Sequence, residues 1–135
     1  MIQINDVYSY LCELAPLEMQ MSFDNAGFQL GRGGNEVHRA LLALDVTNAV
    51  VREAEGLGAE LIISHHPLIF TPVKNITDCD AEHRRLLELA AKNIAVISMH
   101  TNLDIAEGGV NDVLIRALGA EPECALDADG CGRVG

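Results

Sequence analysis

From residue 38 onward, two kinds of apolar segment alternate along the chain, and this alternation restricts the possible folds more than any other feature. Runs of aliphatic residues typical of buried strands occur at 40–44, 61–64 and 94–99. Apolar residues at helical spacing occur at 48–57, 81–92 and 110–118. Strands that alternate with helices pair in parallel through right-handed crossovers. The sequence therefore predicts an α/β fold with a parallel or mostly parallel sheet flanked by helices.

The first third of the chain is less regular. A first helix is predicted with Asn5 or Asp6 as its cap and Pro16 at its end. Within 19–34, an Asp-Asn pair followed by glycine is common turn chemistry, which favours a surface turn and then a short strand. In the later helix at 81–92, the spacing turns four residues inward: Leu86, Leu87, Leu89 and Ala90.

The composition excludes some classes of partner. The chain has 9 basic and 20 acidic residues and a net charge of −11, which argues against a nucleic-acid-binding surface. A small anionic substrate stays open, because a bound metal can reverse the local field. No apolar run approaches the ~20 residues that span a bilayer, and no signal peptide or C-x-x-C pair is evident. We expect a cytoplasmic protein that binds neither nucleic acid nor membrane.

Polar side chains follow three of the predicted strands at their carboxyl ends. Asp45 follows the first strand, His65 and His66 follow the second, and His100 and Asp104 follow the third. Because parallel strands end on one edge of a sheet, this spacing gathers two carboxylates and three imidazoles there. Imidazole and carboxylate together are common ligands for zinc, iron and manganese. The sequence therefore predicts a metal site at this edge.

The adjacency of His65 and His66 leaves two arrangements open. Successive strand residues point to opposite faces, so the two rings should not converge on one ion. Either the chain leaves the strand at Pro67 and brings His66 round, or each histidine binds a different ion. A dinuclear site, with metals ~3.5–4 Å apart and Asp104 as the bridge, satisfies the second arrangement.

Other polar residues have more than one interpretation. Asp45 with Thr47 is interpreted first as the cap of the helix that follows. His100 either orients a metal ligand or is a hydrogen-bonded histidine at a strand end. The Gly108-Gly109 pair favours a tight turn over a site that presents helix N–H groups to an anion. His38 and His83 are assigned no role.

Four blocks of sequence resemble the Nif-three-like family, whose members are often labelled GTP cyclohydrolase I type 2 homologues. The blocks are Ser22–Gly31, Leu44–Thr47, Leu61–Phe70 and His100–Asp112. The resemblance covers nearly the whole chain. It implies a Nif-three-like α/β fold with a dinuclear metal centre, in which His65, His66 and Asp104 are the metal ligands. It also implies a cyclic homo-oligomer, commonly a hexamer, with metal sites facing an internal cavity.

The chain departs from the family in two respects. Phe23 stands where the family has tryptophan. Family members also continue into a second half that supplies a His-x-x-x-Glu pair to the metals. We therefore expect residues 1–135 to be a single domain truncated before that half. Two divalent ions would then share three protein ligands, which predicts partial occupancy.

Two functions are compatible with these features. The first is a metal-dependent hydrolase acting on a nucleotide or another phosphate-bearing small molecule, with His100 and Asp45 as candidates for proton transfer or orientation. The alternative is a non-enzymatic metal-binding or regulatory scaffold protein. A third interpretation, in which the histidines only fill space at strand ends, is disfavoured by their spacing.

Overall fold

A computed structural model describes residues 1–135. Its helices are α1 Ile4–Leu14, a 3₁₀ turn at Leu17–Met19, α2 Asn48–Leu57, α3 Ala81–Ala91, α4 Thr101–Ile105 and α5 Val110–Ala117. Its strands are β1 Gly27–Leu30, β2 Ala40–Ala43, β3 Leu61–Ser64, β4 Ala95–Ser98, β5 Cys124–Ala125 and β6 Arg133–Val134. None of the helices combines the length and the apolar composition needed to cross a membrane.

Four strands form the main sheet in the order β1-β4-β3-β2. Strands β2, β3 and β4 run parallel, with Ala40 opposite Leu61 and Leu61 opposite Ala95. Helices α2 and α3 make the crossovers between them. Strand β1 is antiparallel to β4 and forms one edge. The predicted mostly parallel α/β fold is therefore confirmed, and β1 is the one strand of this sheet with the opposite direction.

The central strands are buried on both faces, which explains their unbroken apolar runs. On one face, Ile62 and Val96 pack into a core with residues of α2 and α3, including Leu86 and Leu89. On the other face, Leu61 and its neighbours in β4 pack with α1 and the segment after β4. The sheet is thus a middle layer that holds the carboxyl ends of β3 and β4 in fixed positions.

Two predictions about helix surfaces and ends were wrong. Helix α1 begins at Ile4, so Asn5 and Asp6 lie inside it, and the Asp6 carboxylate accepts the Gln3 N–H at 2.7 Å. Ile4, the first residue of the helix, is fully buried, and Gln3 is the cap residue before it. In α3 the buried stripe is narrower than predicted: Leu87 is 42% exposed and Ala90 is also exposed.

The outer strand β2 leaves apolar side chains in solvent. Leu42 is 76% exposed and Leu44, just beyond the strand, is 61% exposed. Both line an apolar groove that continues to Leu14 of α1 and reaches His65. Edge strands with apolar side chains are surfaces on which other chains can associate.

Candidate metal centre

The carboxyl ends of β3 and β4 bring three imidazoles together, as the spacing predicts. The ring centroids of His65 and His66 are 5.1 Å apart, and those of His65 and His100 are 5.2 Å apart. One ring nitrogen from each residue lies within 4.8 Å of the corresponding nitrogens of the other two. We call these three residues the histidine cluster. Their arrangement could hold a metal ion.

His65 and His66 converge because the chain leaves the strand before it reaches them. Strand β3 ends at Ser64, whose hydroxyl donates a hydrogen bond to the His66 carbonyl at 2.9 Å. The backbone N–H of His66 still bonds to the Leu44 carbonyl at 2.9 Å, so the turn is tied to the end of β2. His66 therefore lies beside His65, as in the first of the two arrangements left open, and the number of ions stays a prediction.

Each ring of the histidine cluster is oriented by an oxygen atom at Nδ1. The Nδ1 of His65 donates to the Met99 carbonyl at 3.0 Å. The Nδ1 of His66 donates to the Asp45 carboxylate at 2.7 Å, and that of His100 to the Asp24 carboxylate at 2.8 Å. Since these acceptors carry no proton, Nδ1 must carry it, and Nε2 keeps its lone pair. Histidines that bind metals are held in this manner.

Asp104, a predicted metal ligand, lies beside His65. It lies in α4, directly after β4, and its Oδ1 is 3.7 Å from the Nε2 of His65. Zinc–nitrogen and zinc–oxygen bonds of ~2.0–2.2 Å place two tetrahedral ligands about 3.4 Å apart. The two atoms are therefore spaced as ligands of one ion would be.

Sequence reasoning missed Asp24, which bonds to His100 of the histidine cluster. Its side chain is fully buried and accepts hydrogen bonds from the N–H of Thr101 at 3.0 Å, from the Thr101 hydroxyl and from His100. Burial raises the pKa of Asp24, but these bonds and that from Asn25 lower it below its ordinary value. The predicted turn and short strand are present. The signal that could have found Asp24 was its place in the first block of the family resemblance.

Asp45 and Thr47 were predicted to cap α2 together, but only Thr47 does so. The Thr47 hydroxyl caps α2 by accepting the Val50 N–H at 3.2 Å. The Asp45 carboxylate takes no part in that cap and instead bonds to His66. The prediction that Asp45 caps the helix was therefore wrong, and its alternative role in orienting a histidine matches the geometry.

The glycine pair before α5 forms a tight turn, as the favoured interpretation states. The Gly108 N–H donates to the Asp112 carboxylate at 2.7 Å, and the Gly109 N–H donates to the Ala106 carbonyl at 3.0 Å. Both N–H groups are used within the protein, so this pair does not present them to an anion.

The fold and the site together define a mixed α/β protein with a histidine cluster at the carboxyl edge of its sheet. The chain belongs to the Duf34/NIF3 (NGG1p interacting factor 3) family, whose sequence profile matches residues 2–135. This match confirms the family inferred from the four sequence blocks.

Named relatives support the same assignment. The chain is 36% identical to the GTP cyclohydrolase 1 type 2 homolog of Clostridium perfringens, over 98% of this chain and 53% of that protein. It is 37% identical to the Lactococcus lactis protein of the same name, over 99% of this chain and 52% of that protein. The chain thus spans about half the length of these curated relatives.

Solved structures share the fold. A Bacillus cereus protein related to NIF3 superposes with a TM-score of 0.86 at 40% identity, covering 92% of this chain and 35% of that one. Reduced HcgD from Methanocaldococcus jannaschii gives a TM-score of 0.86 at 30% identity, covering 96% of this chain and 52% of that one. The Nif-three-like fold is therefore confirmed over nearly the whole chain.

Proposed function

We propose that this chain binds two divalent metal ions through His65, His66 and Asp104, and that it supplies this site to a metal-dependent hydrolase. The observation that carries the proposal is the orientation of the histidine cluster. The Nδ1 of His65 and that of His66 are each bonded to an oxygen, which leaves Nε2 of each ring to bind a metal ion. Zinc, iron and manganese all suit a mixed imidazole and carboxylate set. With three protein ligands for two ions, we expect partial occupancy.

The roles of the surrounding residues follow from their contacts. Asp45 fixes the ring of His66 through a 2.7 Å hydrogen bond. Asp24 does the same for His100, whose Nε2 is free to accept a proton from a substrate or return one to it. Divalent ions in such a site supply activation of water and polarisation of an electrophilic centre. The carboxylates near the imidazoles favour the binding of cations by their charge.

The proposed substrate is a nucleotide or another phosphate-bearing small molecule. Support comes from the name that curated relatives carry, GTP cyclohydrolase 1 type 2 homolog. The glycine turn adds no support, because its N–H groups bond within the protein. We further propose a cytoplasmic homo-oligomer, hexameric as in the family resemblance. The four cysteines are free thiols, which suits a reducing compartment.

Metal content per chain, measured by elemental mass spectrometry, tests the site. Wild type, His65→Ala and the control His38→Ala are purified in parallel. His38 is a suitable control because its side chain is 71% exposed and pairs only with Glu60. We expect up to two ions in wild type and in His38→Ala, and few in His65→Ala. Equal metal content in all three proteins, or none in wild type, contradicts the proposal.

Turnover then separates the hydrolase from the scaffold. GTP and generic phosphoesters are incubated with added manganese and either wild type or Asp104→Ala. Metal-dependent turnover that the substitution abolishes supports a hydrolase. Metal binding without turnover of any substrate supports a non-enzymatic metal-binding scaffold.

A further inference from the structure

The segment that carries Asp104 is stabilised by hydrogen bonds from other elements of the fold. Helix α4 is a single turn of five residues, Thr101–Ile105. An isolated turn of helix is unstable by itself, because nucleation fixes several residues for one hydrogen bond. Its position must therefore depend on contacts made by other elements.

Two side chains from later elements bind the carbonyl groups at the end of α4. The amide Nδ2 of Asn111, in the first turn of α5, donates to the Asp104 carbonyl at 3.1 Å. The guanidinium of Arg133, in β6, donates through Nη2 to the Ile105 carbonyl at 2.9 Å and to the Ala106 carbonyl at 3.3 Å. Three consecutive carbonyls, beginning with that of Asp104, are thus anchored.

The Arg133 anchor is rigid because the residue is buried and fully bonded. Its side chain is 11% exposed and forms an ion pair with Asp112, which is 5% exposed. Its Nη1 donates to the carbonyls of Gly130 and Gly132. The Gly108 N–H and this ion pair hold the pKa of Asp112 below its ordinary value. A buried pair of this kind keeps one geometry, since any movement leaves a charge without partners.

The start of α5 also lies directly against α4. A methyl group placed on Gly109 would be 1.9 Å from the Leu103 carbonyl oxygen, far inside van der Waals contact. Only glycine permits this approach. Asn111 therefore reaches Asp104 from a helix whose distance to α4 is fixed by backbone contact.

We propose that Asn111 is a positioning residue that holds the main chain of Asp104 in place, and so supports the metal affinity of the site. The inference rests on the proposed function, in which Asp104 is a metal ligand. Arg133 holds the neighbouring peptide groups, but Asn111 makes the contact to Asp104 itself. Replacing a residue that hydrogen-bonds to a ligating side chain typically changes metal affinity 10–100-fold. Asn111 bonds to the main-chain carbonyl of Asp104, so we expect the lower end of this range, about tenfold.

The test compares Co²⁺ binding, followed by visible absorption, in wild type, Asn111→Ala and Asn111→Leu. Leucine keeps the approximate shape of asparagine but has no N–H to donate. The control is Arg116→Gln on the same helix, because Arg116 is 48% exposed and pairs only with Glu121. We expect both Asn111 variants to weaken Co²⁺ binding about tenfold or more, with an altered Co²⁺ spectrum and an unchanged circular dichroism spectrum. Arg116→Gln should match wild type.

The outcomes separate this inference from the proposed function. If all variants bind Co²⁺ like wild type, Asn111 has no positioning role and the metal site still stands. If Asn111→Leu alone matches wild type, the residue acts by packing and the inference fails. If wild type binds no Co²⁺, the proposed function fails. The NMR signals of the His65 ring, which lies beside Asp104, then test whether Asn111 positions Asp104. Signals that move in both Asn111 variants support it, and unchanged signals overturn it.

Discussion

Replacing Asp24 by asparagine removes one carboxylate from the centre of the site while keeping its shape. In wild type, Oδ1 accepts hydrogen bonds from His100 and from the N–H of Asn25. Oδ2 accepts from the N–H and the hydroxyl of Thr101. The amide of asparagine has one oxygen, so in Asp24→Asn one of these two pairs of donors faces an NH₂ group. The substitution therefore disconnects two hydrogen bonds to a charged acceptor.

The loss of stability in Asp24→Asn follows from the two hydrogen bonds that it breaks. Hydrogen bonds to charged groups contribute ~1.5–3 kcal/mol each. The lower value applies, because asparagine also avoids the cost of burying a charge. We therefore expect the free energy of unfolding to fall by about 3 kcal/mol. An unfolding entropy of ~2.1 cal/mol/K per residue gives about 0.28 kcal/mol/K for this chain, so the melting temperature should drop by about 10 °C.

The pH dependence makes the test specific to the carboxylate. Because the pKa of Asp24 is lowered in the folded protein, its contribution is complete above the unfolded value of ~3.9 and is lost as pH falls through the folded value. The stability difference between wild type and Asp24→Asn should therefore be largest at neutral pH and shrink in acid. Thermal melts from pH 7 to pH 2 measure it, with exposed Asp129→Asn as the control.

Two results would refute this reasoning. Equal melting temperatures for wild type and Asp24→Asn at pH 7 would mean that the hydrogen bonds to Asp24 contribute nothing to stability. A difference that stays constant down to pH 2 would mean that the charge of Asp24 is not its source.

Four further substitutions test the core packing and the exposed edge strand. Leu86→Ala should lower the free energy of unfolding by ~2–5 kcal/mol in urea denaturation, because Leu86 is 1% exposed, whereas Leu87→Ala should cost less than about 1 kcal/mol. Gly109→Ala should cost ~1–3 kcal/mol or more in thermal melts, because its new methyl group meets the Leu103 carbonyl. If the proposed oligomer forms through the edge strand β2, Leu42→Lys should reduce self-association in sedimentation velocity without lowering the melting temperature, because Leu42 is 76% exposed on that strand. Unchanged self-association would show that the chains do not associate through β2.

The parts of the fold that the sequence predicts are those with a repeating local signal. Strand β3 and helix α2 match their predicted bounds, because branched apolar runs and a left-handed Gly58 stop are local features. The shared edge of Asp45, His65 and His100 follows from parallel pairing alone. Such inferences need only the order of the elements and the direction of each strand.

The parts that were missed or left open depend largely on contacts between distant residues. Asp24 lies in a turn that its own neighbours explain, and its bond to His100 spans 76 positions. Helix α4 is one turn long, so it has no periodicity to detect. The convergence of His65 and His66 was left open because it depends on where the strand ends, and the His66 N–H bonds to the distant Leu44 carbonyl at that point. No local pattern carries this information.

The distances along the chain between bonded partners also determine when the site can form during folding. His66 and Asp45 are 21 positions apart, His65 and Met99 are 34 apart, and His100 and Asp24 are 76 apart. Closing such loops costs entropy that only the assembled sheet offsets. An ion should therefore find its ligands late, after the rate-limiting step. In stopped-flow experiments, metal should slow unfolding and leave the refolding rate unchanged, which makes metal uptake a reporter of completed folding rather than its trigger.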